Sequence, residues 1–340
     1  MKWDGRIINE RELAPYLKSR DGGLAARVAA LIEHQKNSWP LLREGYAAFA
    51  EIETKSIEAN GSRAIIQHNP RRIASTAARV DKASVEARRC FLCAASLLPE
   101  EKGIAYDEGL VILCNPFPIL DKHLSIVHRE HIAQKIEGNV EALLMMARDL
   151  GSDFFVLYNG PECGASAPDH LHFQAASRNL PIEDELRRME SESKRENDNK
   201  VELFALSGFN RSAIIFRGSD SGRLARSIYR AVSELSLMTG KAEPMINIIC
   251  AHEEGEWTVY LFPRARHRPA CYFAEGEQRL TVSPGAIDMA GLVVVPDRDD
   301  FAKVDAERVG QIFSEVSMDY ETALKVVEKI GPRARAEGIK

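Results

Sequence analysis

Two groups of residues in this chain carry types and spacings that suit chemistry. The first ends the stretch NGPECGASAPDHLHFQ, residues 159–174. If HLHFQ is a strand, its period of two puts His170, His172 and Gln174 on one face and turns Leu171 and Phe173 into a core. The approach is rich in small residues, with Asn159, Gly160, Gly164, Ala165 and Ser166, and such a loop can bring backbone N–H groups against an anion. Imidazoles and a carboxamide beside an anion-holding loop point to phosphate chemistry. A neutral imidazole is a competent nucleophile near pH 7, so His172 is the candidate nucleophile. Attack at an α-phosphorus would give a nucleotidyl-histidine. Charge then spreads over the non-bridging oxygens, and catalysis is mostly positioning and charge stabilisation. Ser166, Gln174 and the loop amides are suitable donors. The Gln174 amide has no proton to exchange at neutral pH. It suits holding a phosphate and not activating water.

The second group is Cys90-Phe91-Leu92-Cys93. A C-x-x-C turn offers zinc two of its four tetrahedral ligands, and His131 and His170 are the best partners, with His128 in reserve for His131. A redox pair and a plain pair of reduced cysteines are the rival readings. A zinc site here would be closed and structural, leaving His172 free.

Other candidates are spread along the chain. Arg72, in NPRR, could reach a phosphate. So could Arg264 and Arg266 of the run RARHR at 264–268, although arginines in such places often form a solvated face. Asn115-Pro116-Phe117-Pro118 makes a rigid connection that could present an aromatic ring to a base.

These residues need elements to position them. Residues 1–60 read as helical, from the three- and four-residue spacing of LAARVAALIEHQ and LLREGYAAFAEIE, and suggest a packing or dimerisation layer. Short strands follow at 64–66, 110–113 and 124–127, then a helix over 138–150 and a strand in DFFVLYN. Pro181 opens an acidic helix. The polar run ESESKRENDNK reads as a linker and domain boundary. Beyond it, VELFAL, SAIIFRG, MINIICAH, WTVYLFPR and GLVVVPD read as strands and 220–238 and 304–317 as helices. Strand following strand with few helices between predicts antiparallel α+β.

Composition bounds the partners. The chain has 340 residues, 45% hydrophobic and 28% charged, with a net charge of −5. No overall basic field draws it to nucleic acid or membranes. No apolar run long enough to span a bilayer and no signal-peptide pattern is read, so a cytoplasmic location is expected.

The order C-x-x-C, N-P-F-P, a strand ending in histidine, then N-G-x-x-x-G-A-S-x-x-x-H-x-H-x-Q resembles the histidine triad superfamily. The nearest branch is that of galactose-1-phosphate uridylyltransferase, diadenosine tetraphosphate phosphorylase and the GDP-hexose phosphorylases. SPGAIDMAGLVVVP also resembles a C-terminal stretch of the phosphorylases. The resemblance implies two histidine-triad-like halves, at 61–198 and 199–340, behind an N-terminal segment 1–60, with the catalytic histidines in the first half. It implies His172 as the nucleotidylated residue and Gln174 as the glutamine that marks transferases and phosphorylases. It implies Ser166, Gly164 and Ala165 as the phosphate loop. Asn115, Phe117 and Asn159 would sit by the nucleotide, and Cys90, Cys93, His131 and His170 would be zinc ligands. The activity so implied is nucleotidyl transfer or phosphorolysis on a nucleoside diphospho-compound, with phosphate or a sugar phosphate as acceptor. A dinucleoside polyphosphate hydrolase and a non-catalytic nucleotide-binding module are the alternatives.

Overall fold

A computed structural model describes residues 3–18, 23–59, 62–192 and 201–331. Its strands are β1 (Glu53–Ala59), β2 (Ser62–His68), β3 (Gly103–Tyr106), β4 (Leu110–Cys114), β5 (Leu124–His128), β6 (Phe154–Asn159), β7 (His172–Ser177), β8 (Glu202–Gly208), β9 (Arg211–Gly218), β10 (Ile246–Glu253), β11 (Glu256–Pro263) and β12 (Leu292–Val295). Nine of them form one sheet in the order β3-β4-β5-β7-β6-β10-β11-β9-β8, antiparallel at every step. The architecture is α+β, as the run of strands predicts. The two halves meet inside this sheet, where β6 of the first pairs with β10 of the second, Asn159 opposite Asn247. The other three strands form a small sheet, β1-β2-β12, in which β2 and β12 run parallel, so it too takes strands from both halves.

The sheet is buried on both faces, and that explains strands such as β4, β6 and β9 that read as unbroken runs of buried residues. One face carries helices Leu24–Ser38, Val140–Leu150, Ser221–Thr239 and Tyr320–Ile330 over a large core that includes Phe154, Val156, Tyr158 and Phe173. The opposite face holds two separate apolar patches. Phe155, Leu157, Ala176 and Ile249 pack under the small sheet and the start of helix Pro181–Glu192. Val111, Leu113 and Val127 pack under Cys90, Cys93 and Ala167. Alternation along β7 places His172 and Gln174 on this second face, opposite to Phe173, paired across the ladder with Val127 and Ser125. The polar pair therefore lies at the seam between two patches of hydrocarbon.

Two expectations need correction. Residues 53–59 are the strand β1 and not helix; ETKSIEA is a polar edge strand whose pairing with β2 over its whole length fixes it. His170 lies in the turn before β7 and not in the strand expected for it. The polar run expected as a domain boundary lies mostly outside the described residues. Among the described residues, no helix is long and apolar enough to cross a membrane.

Candidate active site and metal-ligand cluster

The β6–β7 ladder stops at Leu157 opposite Gln174. Beyond it the strands part, and the buried side chain of Gln134 fills the gap. Its Nε2 donates to the carbonyls of Asn159 (2.9 Å) and His172 (3.0 Å), and its Oε1 accepts the His172 N–H at 2.8 Å. A side chain thus makes the bonds that a further ladder rung would have made. The split lets the chain open into the 160–171 loop while His172 stays fixed.

The imidazole of His172 is 4% exposed. Its Nδ1 lies 2.8 Å from the carbonyl of His170. A carbonyl only accepts, so Nδ1 carries the proton and Nε2 the lone pair. Burial pulls the pKa down to about 4, so at neutral pH the ring is neutral.

Gln174 is oriented by a residue that the sequence analysis passed over. His123 is fully buried and next to the NPFP turn. Its Nδ1 accepts the Ile119 N–H at 3.3 Å, which leaves Nε2–H to donate to Gln174 Oε1 at 2.8 Å. Burial pushes the His123 pKa down to about 3, with the nearby Arg72 charge adding to the effect. With its oxygen engaged, Gln174 has its NH2 left for a ligand.

Gln174 lines a pocket together with Asn159, Gly164, Ala165, Ser166 and Arg72. The loop is shaped from the second half. Gly160 runs so close to β10 that a Cβ would lie 2.8 Å from the Ile246 carbonyl, and Gly164, at φ +109°, would place one 3.0 Å from Gly285 Cα. The Oδ1 of Asn159 accepts from Asn247 Nδ2 and from the Ala286 N–H, both at 2.8 Å. Arg88 ties the carbonyl of Ser166 to Asp169.

The other candidates divide. Arg72 borders the pocket, spends one N–H on the Phe117 carbonyl (3.1 Å), and is lowered by burial to about 10, still a cation at neutral pH. Arg264 is not available to a phosphate. It is buried behind the loop and donates to Asn247 and to the carbonyls of Val316, Pro284, Arg266 and His267. Arg266 is exposed and does not border the pocket. The run RARHR instead contributes His267 and Arg268. Arg268 crosses to the first half and donates to the carbonyls of Thr76 and Ala78, both at 2.9 Å. Asn115 and Phe117 also lie off this pocket. Asn115 Oδ1 caps the NPFP turn by accepting the Phe117 N–H at 3.0 Å.

Cys90, Cys93, His131 and His170 come together with one donor atom each, all within 4.8 Å of one another. The Sγ of Cys90 lies 3.2 Å from His170 Nδ1, and that of Cys93 3.2 Å from His131 Nδ1 and 3.6 Å from His170 Nδ1. His170 Nε2–H donates to the His128 carbonyl at 2.7 Å, so its Nδ1 lone pair faces the thiols. Asp169 stands 3.5 Å from the far nitrogen of His131. Each imidazole thus has the outer partner usual for a metal-ligating histidine, and the cluster can hold a metal ion. His128 is not part of it. His170 links the two sites, since its side chain enters this cluster and its carbonyl fixes His172.

Two family models match the chain in succession: a domain of unknown function, DUF4922, over residues 31–177, and "GDPGP1-like, C-terminal domain" over residues 185–334. No curated protein matches. Among solved structures, yeast Ap4A phosphorylase Apa2 is similar with a TM-score of 0.51 at 16% identity, over 83% of this chain and 95% of that one. The same yeast enzyme in complex with AMP gives 0.52 at 15% identity, over 83% and 97%. An ADP-glucose phosphorylase from Arabidopsis thaliana is a looser match, with a TM-score of 0.34 at 15% identity over 79% of this chain and 100% of that one. The chain thus shares the fold of the yeast enzyme over most of its length, and its residues 185–334 match the model described as the GDPGP1-like C-terminal domain.

Proposed function

We propose that this protein is a nucleotidyltransferase of the phosphorylase kind, acting on a dinucleoside polyphosphate or a nucleotide sugar through a nucleotidyl group carried on His172. The observation that carries the reading is the locked tautomer of His172, neutral and with its Nε2 lone pair free of any partner among the described residues. In the first step Nε2 attacks the α-phosphorus, an N–P bond forms, and the P–O bond to the leaving phosphoryl group breaks. In the second, an oxygen of inorganic phosphate or of a sugar phosphate attacks the same phosphorus, and the N–P bond breaks. Gln174, the Ser166 hydroxyl and the amides of Gly164 and Ala165 hold the non-bridging oxygens, while Arg72 and Arg268 offset their charge. The Gln174 side chain cannot take a proton from water. That favours a phosphorylated acceptor over hydrolysis. The yeast relative is described as an Ap4A phosphorylase and is also known with AMP bound, which supports a nucleotide substrate.

We infer that the Cys90, Cys93, His131, His170 cluster holds zinc. Thiolate and imidazole donors suit it, and tetrahedral bonds of about 2.0–2.3 Å separate such donors by roughly 3.3–3.8 Å, near the three Cys–His spacings of 3.2, 3.2 and 3.6 Å. Its role is structural, holding His170 and through it the His172 ring.

The test is turnover of ADP-, GDP- and UDP-hexoses and of dinucleoside tetraphosphates, with and without orthophosphate. We expect one of these to give a nucleoside diphosphate only when phosphate is present, and His172→Ala to abolish it. Equal turnover without phosphate, or an active His172→Ala enzyme, overturns the reading.

A further inference from the structure

One group in the pocket differs in kind from its neighbours. Arg72, Arg268, Gln174 and the loop amides offer donors, and Ser75, Thr76, Ser166 and Ser283 can serve either way. Asp288 is the carboxylate among the lining residues. It is held rigidly, with Oδ2 accepting the Gly285 N–H and Oδ1 the Val294 N–H, each at 2.9 Å. These contacts cap a helical turn and tie it to β12, but they use one lone pair of each oxygen and leave others unspent. The groups bonded to the carboxyl are backbone amides. Arg264 acts on it only through space, and burial raises its pKa to about 6. The carboxylate borders the pocket partly exposed, so its unspent lone pairs can accept from a ligand donor.

The chemistry of that donor is limited. A phosphate oxygen is excluded, because it is an acceptor and carries the same sign of charge. Position limits it further. Gly285, whose N–H binds Asp288, lies against Gly164 in the phosphate loop. Asp288 therefore stands near the loop, and in a nucleotide the sugar hydroxyls lie nearer the phosphorus than the N–H donors of the base.

We propose that Asp288 is a specificity-determining residue that accepts a hydrogen bond from a sugar hydroxyl adjoining the phosphate held by the 164–166 loop. That hydroxyl belongs either to the ribose of the nucleotide or to the sugar attached beyond the phosphates. The proposal relies on the proposed function for the placing of the phosphate, but not on the covalent step.

The experiment is equilibrium titration, without turnover, of the wild type and Asp288→Asn. The probes are ADP, GDP, UDP and their glucose conjugates, beside the 2′-deoxy and 3′-deoxy nucleotides and the 2-deoxy and 3-deoxy hexose conjugates. For the nucleotide that binds, we expect one deoxy analogue to bind the wild type roughly tenfold or more weakly, the scale for losing a hydrogen bond to a charged group. Asp288→Asn should bind the parent compound more weakly and no longer distinguish it from that analogue. Loss with a deoxyribose assigns the contact to the ribose, and loss with a deoxyhexose assigns it to the attached sugar. Wild-type affinities equal for every analogue, or full discrimination kept by Asp288→Asn, overturn the proposal. If Asp288→Asn fails to fold, Asp288→Glu takes its place, and the wild-type series is decisive by itself. Failure of the wild type to bind any nucleotide removes the proposed function and this proposal together. Intact discrimination without a nucleotidyl-histidine removes the covalent route and leaves Asp288 its role.

Discussion

The buried amide of Gln134 gives a prediction whose size can be worked from the contacts around it. Substitution by alanine leaves three backbone groups without their partners: the carbonyls of Asn159 and His172 and the N–H of His172. Gln134 is 2% exposed, so water does not restore these bonds without opening the seam. An unsatisfied buried polar group costs about 1–3 kcal/mol. Allowing for one group to be recovered by a trapped water, the expected loss is about 3 kcal/mol. Gln134→Glu keeps the acceptor for the His172 N–H but faces a carboxylate toward two carbonyls, and should cost as much or more. The effect should reach the chemistry as well, since the His172 backbone is what aims its imidazole. A displacement of about 1 Å can cost roughly a hundredfold in rate. Urea unfolding followed by tryptophan fluorescence, paired with the rate of single-turnover nucleotidyl transfer, measures both. A Gln134→Ala protein within about 1 kcal/mol of the wild type, with the same transfer rate, would show that the amide merely fills space.

Further consequences concern His123, pH and the metal cluster. His123→Leu removes the donor that fixes Gln174 Oε1, lets the amide turn, and should lower kcat by roughly tenfold to a hundredfold with a smaller change in KM, read from steady-state kinetics. The folded pKa values of His172, His123 and His267 are lowered by burial to about 4, 3 and 4. The unfolded chain then binds more protons than the folded one below pH about 6.5. Their contribution is complete above that pH and is lost as pH falls toward 4. Asp288, raised to about 6, acts in the opposite sense between about 4 and 6. Melting temperature should therefore drop on acidification below pH 6.5, while the transfer rate shows no inflection near 6.5 from His172. Metal analysis of the purified chain should find one zinc per chain, lost in Cys93→Ser. The same variant should reduce the nucleotidylation rate, since His170 is then held less firmly and its carbonyl positions His172.

Much of this was legible in the sequence, and the failures have physical causes. The strands expected in the second half, VELFAL, SAIIFRG, MINIICAH, WTVYLFPR and GLVVVPD, fall on β8 to β12; in β9 to β12 the apolar runs are long because most of their residues are buried. The four metal-ligand candidates cluster as the C-x-x-C and its two expected partners suggest. β1 was hidden because an exposed edge strand has no apolar alternation. The strand expected to include His170 is shorter because the ladder starts two residues later, leaving His170 in the preceding turn. Arg264 and Arg268 could not be told apart by spacing. Which of them folds inward depends on Asn247 and Pro284 on one side and on the carbonyls of Thr76 and Ala78 on the other, contacts made across long stretches of chain. Gln134 and His123 carry no motif. The only signal for His123 was a histidine immediately before a strand paired with β7, and Gln134 had none.

The most direct measurement is intact-protein and peptide mass spectrometry of enzyme mixed with its nucleotide substrate and quenched under base, where a phosphoramidate survives. The account requires a mass increase of one nucleoside monophosphate on the peptide that contains His172, erased when orthophosphate is added before the quench and absent in His172→Ala. Turnover of the same substrate with no such adduct at any time, or an adduct on another residue, would contradict it.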